Sequence, residues 1–187
     1  MKRKSWVLVL GICLALCFFA SVVLVAAEDE PKVGNSVGNV KFAKPLSDDE
    51  AKYLGLEKAA EFTLKDIKGP YVFVEQFSTT CPHCMQQSPV LNSLFAMVQQ
   101  DAGLKDKVKF LAAGQANDEA AVKMWKVFHK VPFPVIADEK SALGDALKFH
   151  PYPVSMLLDK TGKILIVHIG AFDSADEVFK EIKKTVK

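Results

Sequence analysis

Arginine is almost absent from this sequence. Arg3 is the only one, and every other basic side chain is lysine. Chemistry that needs a guanidinium beside a reactive group has none to draw on past position 3. Net charge is also scarce, at +2, with no basic stripe, which argues against a nucleic-acid partner. Cysteine is rare too: there are four, and Cys13 and Cys17 lie in an apolar N-terminal run where they read as inert filler. That leaves Cys81 and Cys84. A disulfide framework is therefore excluded, since half the residues are hydrophobic and a core needs no staple. A bond closing so small a loop would also add little chain-entropy stabilisation. Internal repeats and low-complexity tracts are lacking, which excludes a solenoid.

What is present begins with a basic cluster, Met1 to Ser5, followed by an uncharged apolar run from Trp6 to Ala27. A signal core is usually about 7–15 residues, and a membrane span needs about 20. The run is long enough to span as an N-terminal hydrophobic helix. It also ends in Val25, Ala26 and Ala27, which a signal peptidase could accept. Residues 1–27 are thus a signal peptide or a membrane anchor. Both readings place the remainder on the extracytoplasmic (periplasmic) side, because the Lys/Arg cluster stays inside. Residues 28–45 show little periodicity and read as a linker. Residues 46–187 read as the folded domain.

Within that domain the pattern predicts a short helix over 47–55 capped by Ser47, then an alternating strand over 61–67. Tyr71–Phe77 is apolar on both faces, as a central strand is. The next helix carries a stripe of Leu91, Leu94, Phe95 and Val98, with Pro89 inside it as a kink. Strands follow at 108–113, 134–137, 154–158 and 163–169, with a turn at 159–162 between the last two. Helices are predicted at 118–129, capped by Asn117, at 140–149 and at 174–186. Strands joined through helices imply parallel pairs, and the final hairpin adds antiparallel ones. The fold class is α/β: a central mixed sheet with helices on both faces, a three-layer sandwich.

Cys81 and Cys84 sit in CPHC, where a strand gives way to a helix. A sulfur at position 81 would lie near unpaired N–H groups at the helix start, which favour a thiolate. The thiolate is the nucleophile of disulfide exchange, and Cys84, one turn on, can resolve a mixed disulfide. His83 adds positive charge that would make the disulfide more oxidising, and Pro82 stiffens the helix start. Glu75 interrupts an apolar strand six residues before Cys81. A buried carboxylate is costly without a task. It is either a proton acceptor for Cys84 through a water or an outward-facing residue paired with a lysine. Tyr152 and Pro153 head the strand 154–158.

Residues 56–187 resemble the thioredoxin superfamily, and specifically the TlpA/ResA-like membrane-tethered thiol–disulfide oxidoreductases. The stretch AEFTLKDIKGPYVFVEQFSTTCPHC follows that family's opening of strand, turn, strand and CxxC. The resemblance implies a thioredoxin-like fold, with Cys81 as nucleophile, Cys84 as resolving thiol, Glu75 at the buried acid position and Pro153 as a cis-proline. It implies Pro89 as the kink proline and residues 108–129 as the family's extra strand and helix. The dipeptide Pro82-His83 is that of DsbA-type oxidases instead. Thr80 stands where many relatives carry tryptophan, and Val154 where threonine is common. Both border the substrate groove.

Two rivals remain. "VPFPVIADEKSALGDAL" resembles the middle of a peroxiredoxin, but Val74 stands where a peroxidatic site wants proline, and the needed arginine is missing. A copper-delivery module could use the cysteines with His150 or His168, yet no second Cys/His pair is present for zinc. His129 is a third single histidine. Trp125, Phe128 and Phe133 read as core. The expectation is a thiol–disulfide oxidoreductase acting on protein cysteines, as a reductase, with oxidase or isomerase action as the alternative. No metal and no cofactor are expected beyond the Cys81–Cys84 redox disulfide. The partners would be protein thiols or disulfides, a redox partner such as a membrane electron carrier, and the membrane itself if the anchor is retained.

Overall fold

A computed structural model describes residues 30–58 and 60–187. The elements in chain order are β1 (Lys41–Phe42), α1 (Asp48–Leu54), β2 (Phe62–Thr63), β3 (Tyr71–Phe77), α2 (Pro82–Gln100) and β4 (Val108–Gln115). They continue as α3 (Glu119–Phe128), β5 (Val135–Asp138), α4 (Ala142–Leu147), β6 (Val154–Asp159), β7 (Ile164–Ile169) and α5 (Ala175–Thr185). The N-terminal hydrophobic helix expected within residues 1–27 lies outside the described residues. Among the described residues, no helix is long and apolar enough to cross a membrane.

The main sheet runs β5-β4-β3-β6-β7. β3 pairs parallel with β4, and β4 parallel with β5, while β6 and β7 are antiparallel to their neighbours. The mixed sheet anticipated from the element order is therefore present. β3 is its centre because both of its faces are apolar. Phe73 and Phe77 face α2, α3 and α5, whereas Val72 and Val74 face α1, α4 and the N-terminal segment. Burying two faces of one strand requires this three-layer arrangement.

Local signals account for the helix ends. Ser47 Oγ accepts the Glu50 N–H at 3.2 Å, and Gly55 closes α1 at φ +79. Ser174 Oγ does the same for α5, accepting the Glu177 N–H at 3.3 Å. α3 is capped by Asp118, whose carboxylate accepts the Ala121 N–H at 2.8 Å, rather than by the expected Asn117. The strand expected over 61–67 shortens to Phe62–Thr63, because the Asp66 carboxylate accepts the Thr63 N–H and turns the chain.

The linker expected over 28–45 differs most. Val37, Val40 and Phe42 are buried in the core beneath β3's second face. Backbone bonds Gly34 N–H to Ile164 O, Ile164 N–H to Asn35 O and Val37 N–H to Gly162 O bind the segment along the β6–β7 turn. Gly162, at φ +82, permits this approach, since a Cβ there would lie 2.8 Å from Gly38 O. The segment's buried apolar side chains, Val37, Val40 and Phe42 among them, are spaced too irregularly to register as periodicity.

Candidate active site

The chain leaves β3 at Phe77 and enters α2 at Pro82. Cys81 is the N-cap, with extended backbone, and its Sγ accepts the Cys84 N–H at 3.2 Å. The sulfur thus occupies the place a serine or aspartate oxygen takes in an ordinary cap. Pro82 opens the helix where its missing N–H costs nothing. Pro82, His83 and Thr80 are exposed, and the Thr80 hydroxyl lies 3.3 Å from that of Ser78. Both cysteines are free thiols and both are nearly covered, Cys81 at 6% exposure and Cys84 at 2%. Burial, then the hydrogen bond with Cys81, push the Cys84 thiol up.

The cover over Cys81 comes from the loop before β6. Its Sγ points at the Tyr152 carbonyl, 3.9 Å away. The Tyr152–Pro153 peptide bond is cis, Tyr152 is exposed and Pro153 buried. Two buried glutamines hold this loop. Gln76 Nε2 donates to Phe149 O at 3.1 Å and Pro151 O at 3.0 Å, and Gln115 Nε2 donates to His150 O at 2.9 Å. Asn117 Oδ1 accepts the Thr79 N–H at 2.9 Å and so pins the other side of the redox loop.

Glu75 lies on the face of β3 under α2 and is 3% exposed, so the alternative of an outward residue paired with lysine is excluded. Its register neighbours are Ser155 on β6 and Ala112 on β4. Gln87 Nε2 donates to both carboxylate oxygens, at 2.9 and 3.1 Å, and to Ser155 Oγ at 3.0 Å. Ser155 Oγ closes the triangle with a short hydrogen bond to Glu75. Burial pushes the Glu75 carboxyl up to about 8, the hydrogen bonds from Ser155 and Gln87 offsetting only part of it. Glu75 and Cys84 line one small cavity. The space open to a water's centre there is about 10 Å³, close to what a single water requires.

The sequence reading did not find Gln87, Ser155, Gln76, Gln115 or the role of Asn117. A polar residue one turn past Cys84 on the buried side of the α2 stripe was the available signal for Gln87. Beside the redox loop lies an open apolar groove lined by Thr79, Met85, Met124, Trp125 and Phe128. Trp125 and Phe133 are core, as expected, but Phe128 is 79% exposed and Met124 71%. α3 buries Val122 and Trp125 and turns Met124, Val127 and Phe128 to solvent here. The three histidines are elsewhere: His150 pairs with Asp145, His168 with Glu181, and His129 lies tilted against Trp125 with ring centres 4.0 Å apart. Among the described residues, no three metal-ligating side chains converge.

A buried dithiol at a helix tip, above a buried acid and against a cis-proline loop, is set on a fold shared with solved structures. The thioredoxin domain of a thiol-disulfide oxidoreductase from Bacteroides vulgatus superposes with TM-score 0.63 at 17% identity, covering 84% of this chain and 99% of that one. StoA from Bacillus subtilis superposes with TM-score 0.54 at 22% identity, covering 66% and 89%. These likenesses show a thioredoxin-like fold. The sequence profile of the Redoxin family matches residues 32–183. The chain belongs to the Redoxin family.

Within that family, this Redoxin chain is 31% identical over 107 residues to thiol-disulfide oxidoreductase ResA of Bacillus cereus, covering 57% of this chain and 59% of the relative. It is 26% identical over 147 residues to ResA of Bacillus thuringiensis, covering 74% and 82%. The chain spans 59% to 66% of the length of the first curated relatives it matches. The TlpA/ResA-like resemblance read from CPHC and its flanks agrees with these matches.

Proposed function

We propose that this Redoxin-family protein is a thiol–disulfide oxidoreductase that reduces disulfides of other proteins outside the cytoplasm. The observation that carries the reading is that Cys84, one turn below Cys81 at the helix tip, shares a small cavity with the buried Glu75. The Cys81 thiolate attacks a substrate disulfide, an S–S bond forms between them, and the first substrate thiolate leaves. Cys84 then gives its proton through a water to Glu75, attacks Cys81 Sγ, and releases the second thiolate. Two electrons have passed to the substrate, and the Cys81–Cys84 disulfide carries the oxidation. The pair itself is the redox group, so no cofactor enters the cycle. A redox partner returns the two electrons.

The direction is assigned from the thioredoxin-like architecture and the N-terminal apolar run, which favour a tethered reductase, against the charge of His83, which favours an oxidase. The apolar groove beside the redox loop offers a protein substrate a surface on which to rest. The basic cluster and the apolar run before residue 28 support a site on the outer face of the cytoplasmic membrane.

Insulin reduction tests the activity: wild type turns over with dithiothreitol, and Cys81→Ala does not. Activity surviving that substitution removes Cys81 as nucleophile. Equilibration against glutathione tests the direction separately. A pair more reducing than glutathione is expected, and a more oxidising one reverses the assigned direction in favour of an oxidase.

A further inference from the structure

Ser88 lies on α2 one turn beyond Cys84, on the same side of the helix. It is 3% exposed, and its Oγ has no hydrogen-bond partner among the described residues. A buried hydroxyl left unpaired costs about 1–3 kcal/mol, so it requires an explanation. Ser88 lines the same small cavity as Glu75 and Cys84. The remaining wall includes Phe77, Leu91, Ala112 and Trp125, which offer no side-chain polar contact except the Trp125 indole N–H.

We propose that Ser88 is a positioning residue for the proton transfer between Cys84 and Glu75, its hydroxyl anchoring the water that bridges them. This rests on the relay assigned above and goes beyond it. A water in a mostly apolar cavity needs two to four polar partners. The Cys84 thiol is a weak donor, and the Glu75 carboxylate already takes hydrogen bonds from Gln87 and Ser155. The Ser88 hydroxyl supplies the third, otherwise idle, contact. It also satisfies its own unpaired oxygen. In the step itself the Cys84 S–H bond breaks and its proton passes to the water, which yields a proton to Glu75. The freed electron pair on Cys84 forms the bond to Cys81 Sγ as the substrate thiolate departs. The ionisable groups facing Cys84 are Cys81, the N-cap of α2, and Glu75, on β3. Around Glu75 and the cavity, β6 presents Ser155, β4 Ala112 and α3 Trp125, none of which titrates in this range.

Reaction of the reduced protein with dithiobis(nitrobenzoate) separates the steps. A first thionitrobenzoate is released when Cys81 attacks, and a second when Cys84 resolves the mixed disulfide. Ser88→Ala is expected to slow the second phase roughly fivefold to tenfold, the equivalent of one hydrogen bond, and to leave the first phase alone. Alanine is also the better helix former, so folding is not at risk. In a Glu75→Gln background, where the relay is already broken, Ser88→Ala is expected to add no further slowing. The second phase in wild type should rise with pH toward about 8, where Glu75 ionises, and this rise should flatten in Ser88→Ala. Equal slowing by Ser88→Ala in both backgrounds assigns it a merely structural part and overturns the proposal. If Glu75→Gln slows the second phase and Ser88→Ala does not, the Ser88 assignment alone falls. If neither slows it, the relay through Glu75 falls with it.

Discussion

Gln87 points its amide nitrogen at both oxygens of Glu75, at 2.9 and 3.1 Å. It cannot turn round, because its own Oε1 accepts the Phe172 backbone N–H at 3.0 Å. The backbone of the β7–α5 connection thereby sets the donor that faces the buried acid. Gln87→Leu should leave the Phe172 N–H unpaired and take two contacts from Glu75. A loss of about 1–3 kcal/mol is expected, with the Glu75 midpoint moving further up. Denaturant unfolding at pH 6 reads the first, and the pH profile of mixed-disulfide resolution reads the second.

Stability should fall as pH rises. Glu75 is held at about 8 in the folded protein against 4.5 for the free group. The folded state therefore keeps a proton that the unfolded chain has lost. The stability associated with that proton is fully present below about 4.5 and is lost as pH rises through about 8. The span is on the order of 5 kcal/mol. Glu75→Gln removes this dependence, so its stability relative to wild type should rise between pH 5 and pH 8 and level off beyond. Paired urea melts across that range check it. A wild-type advantage that grows with pH would contradict the buried-acid account.

Cys84→Ser should stop the cycle after its first step. Cys81 still attacks, but nothing resolves the adduct, so a covalent complex with a protein substrate accumulates. Non-reducing gels reveal it, and dithiothreitol dissolves it. Turnover with insulin should fall by at least two orders of magnitude, in line with losing the attacking group of a two-step exchange.

Phe128→Ser should separate protein substrates from small ones. Phe128 is 79% exposed on the apolar groove beside the redox loop, so folding stability should change by no more than about 0.5 kcal/mol. For insulin, KM should rise several-fold while kcat holds. The rate with a small aromatic disulfide should not change. Equal effects on both substrates would mean that the groove does not seat the protein.

Much of the fold was legible because local chemistry repeats within a turn or two. β3 was bounded at Tyr71–Phe77 by its apolar run, and α1 and α5 by their serine caps. The segment 31–42 was misjudged because its hydrogen-bond partners are in the β6–β7 turn, far along the chain. Asn117 and Asp118 are both good caps, and only the position of Thr79 decides that Asn117 serves the redox loop instead. Phe128 looked like core, since composition does not say which side of α3 the sheet covers.

Local sequence suffices for the strand, the CPHC and the helix that follows it, because a cap and its donor are neighbours along the chain. It also determined that an acid stands on β3 six residues upstream. What surrounds that acid is set by long-range packing. Ser155 comes to Glu75 from 80 residues away, and Phe172 to Gln87 from 85. Those meetings depend on β6 lying antiparallel beside β3 and on where the chain crosses after β7. Such contacts follow from sheet order, which no local pattern spells out; the two apolar faces of β3 require only that it lie inside the sheet, covered on both sides.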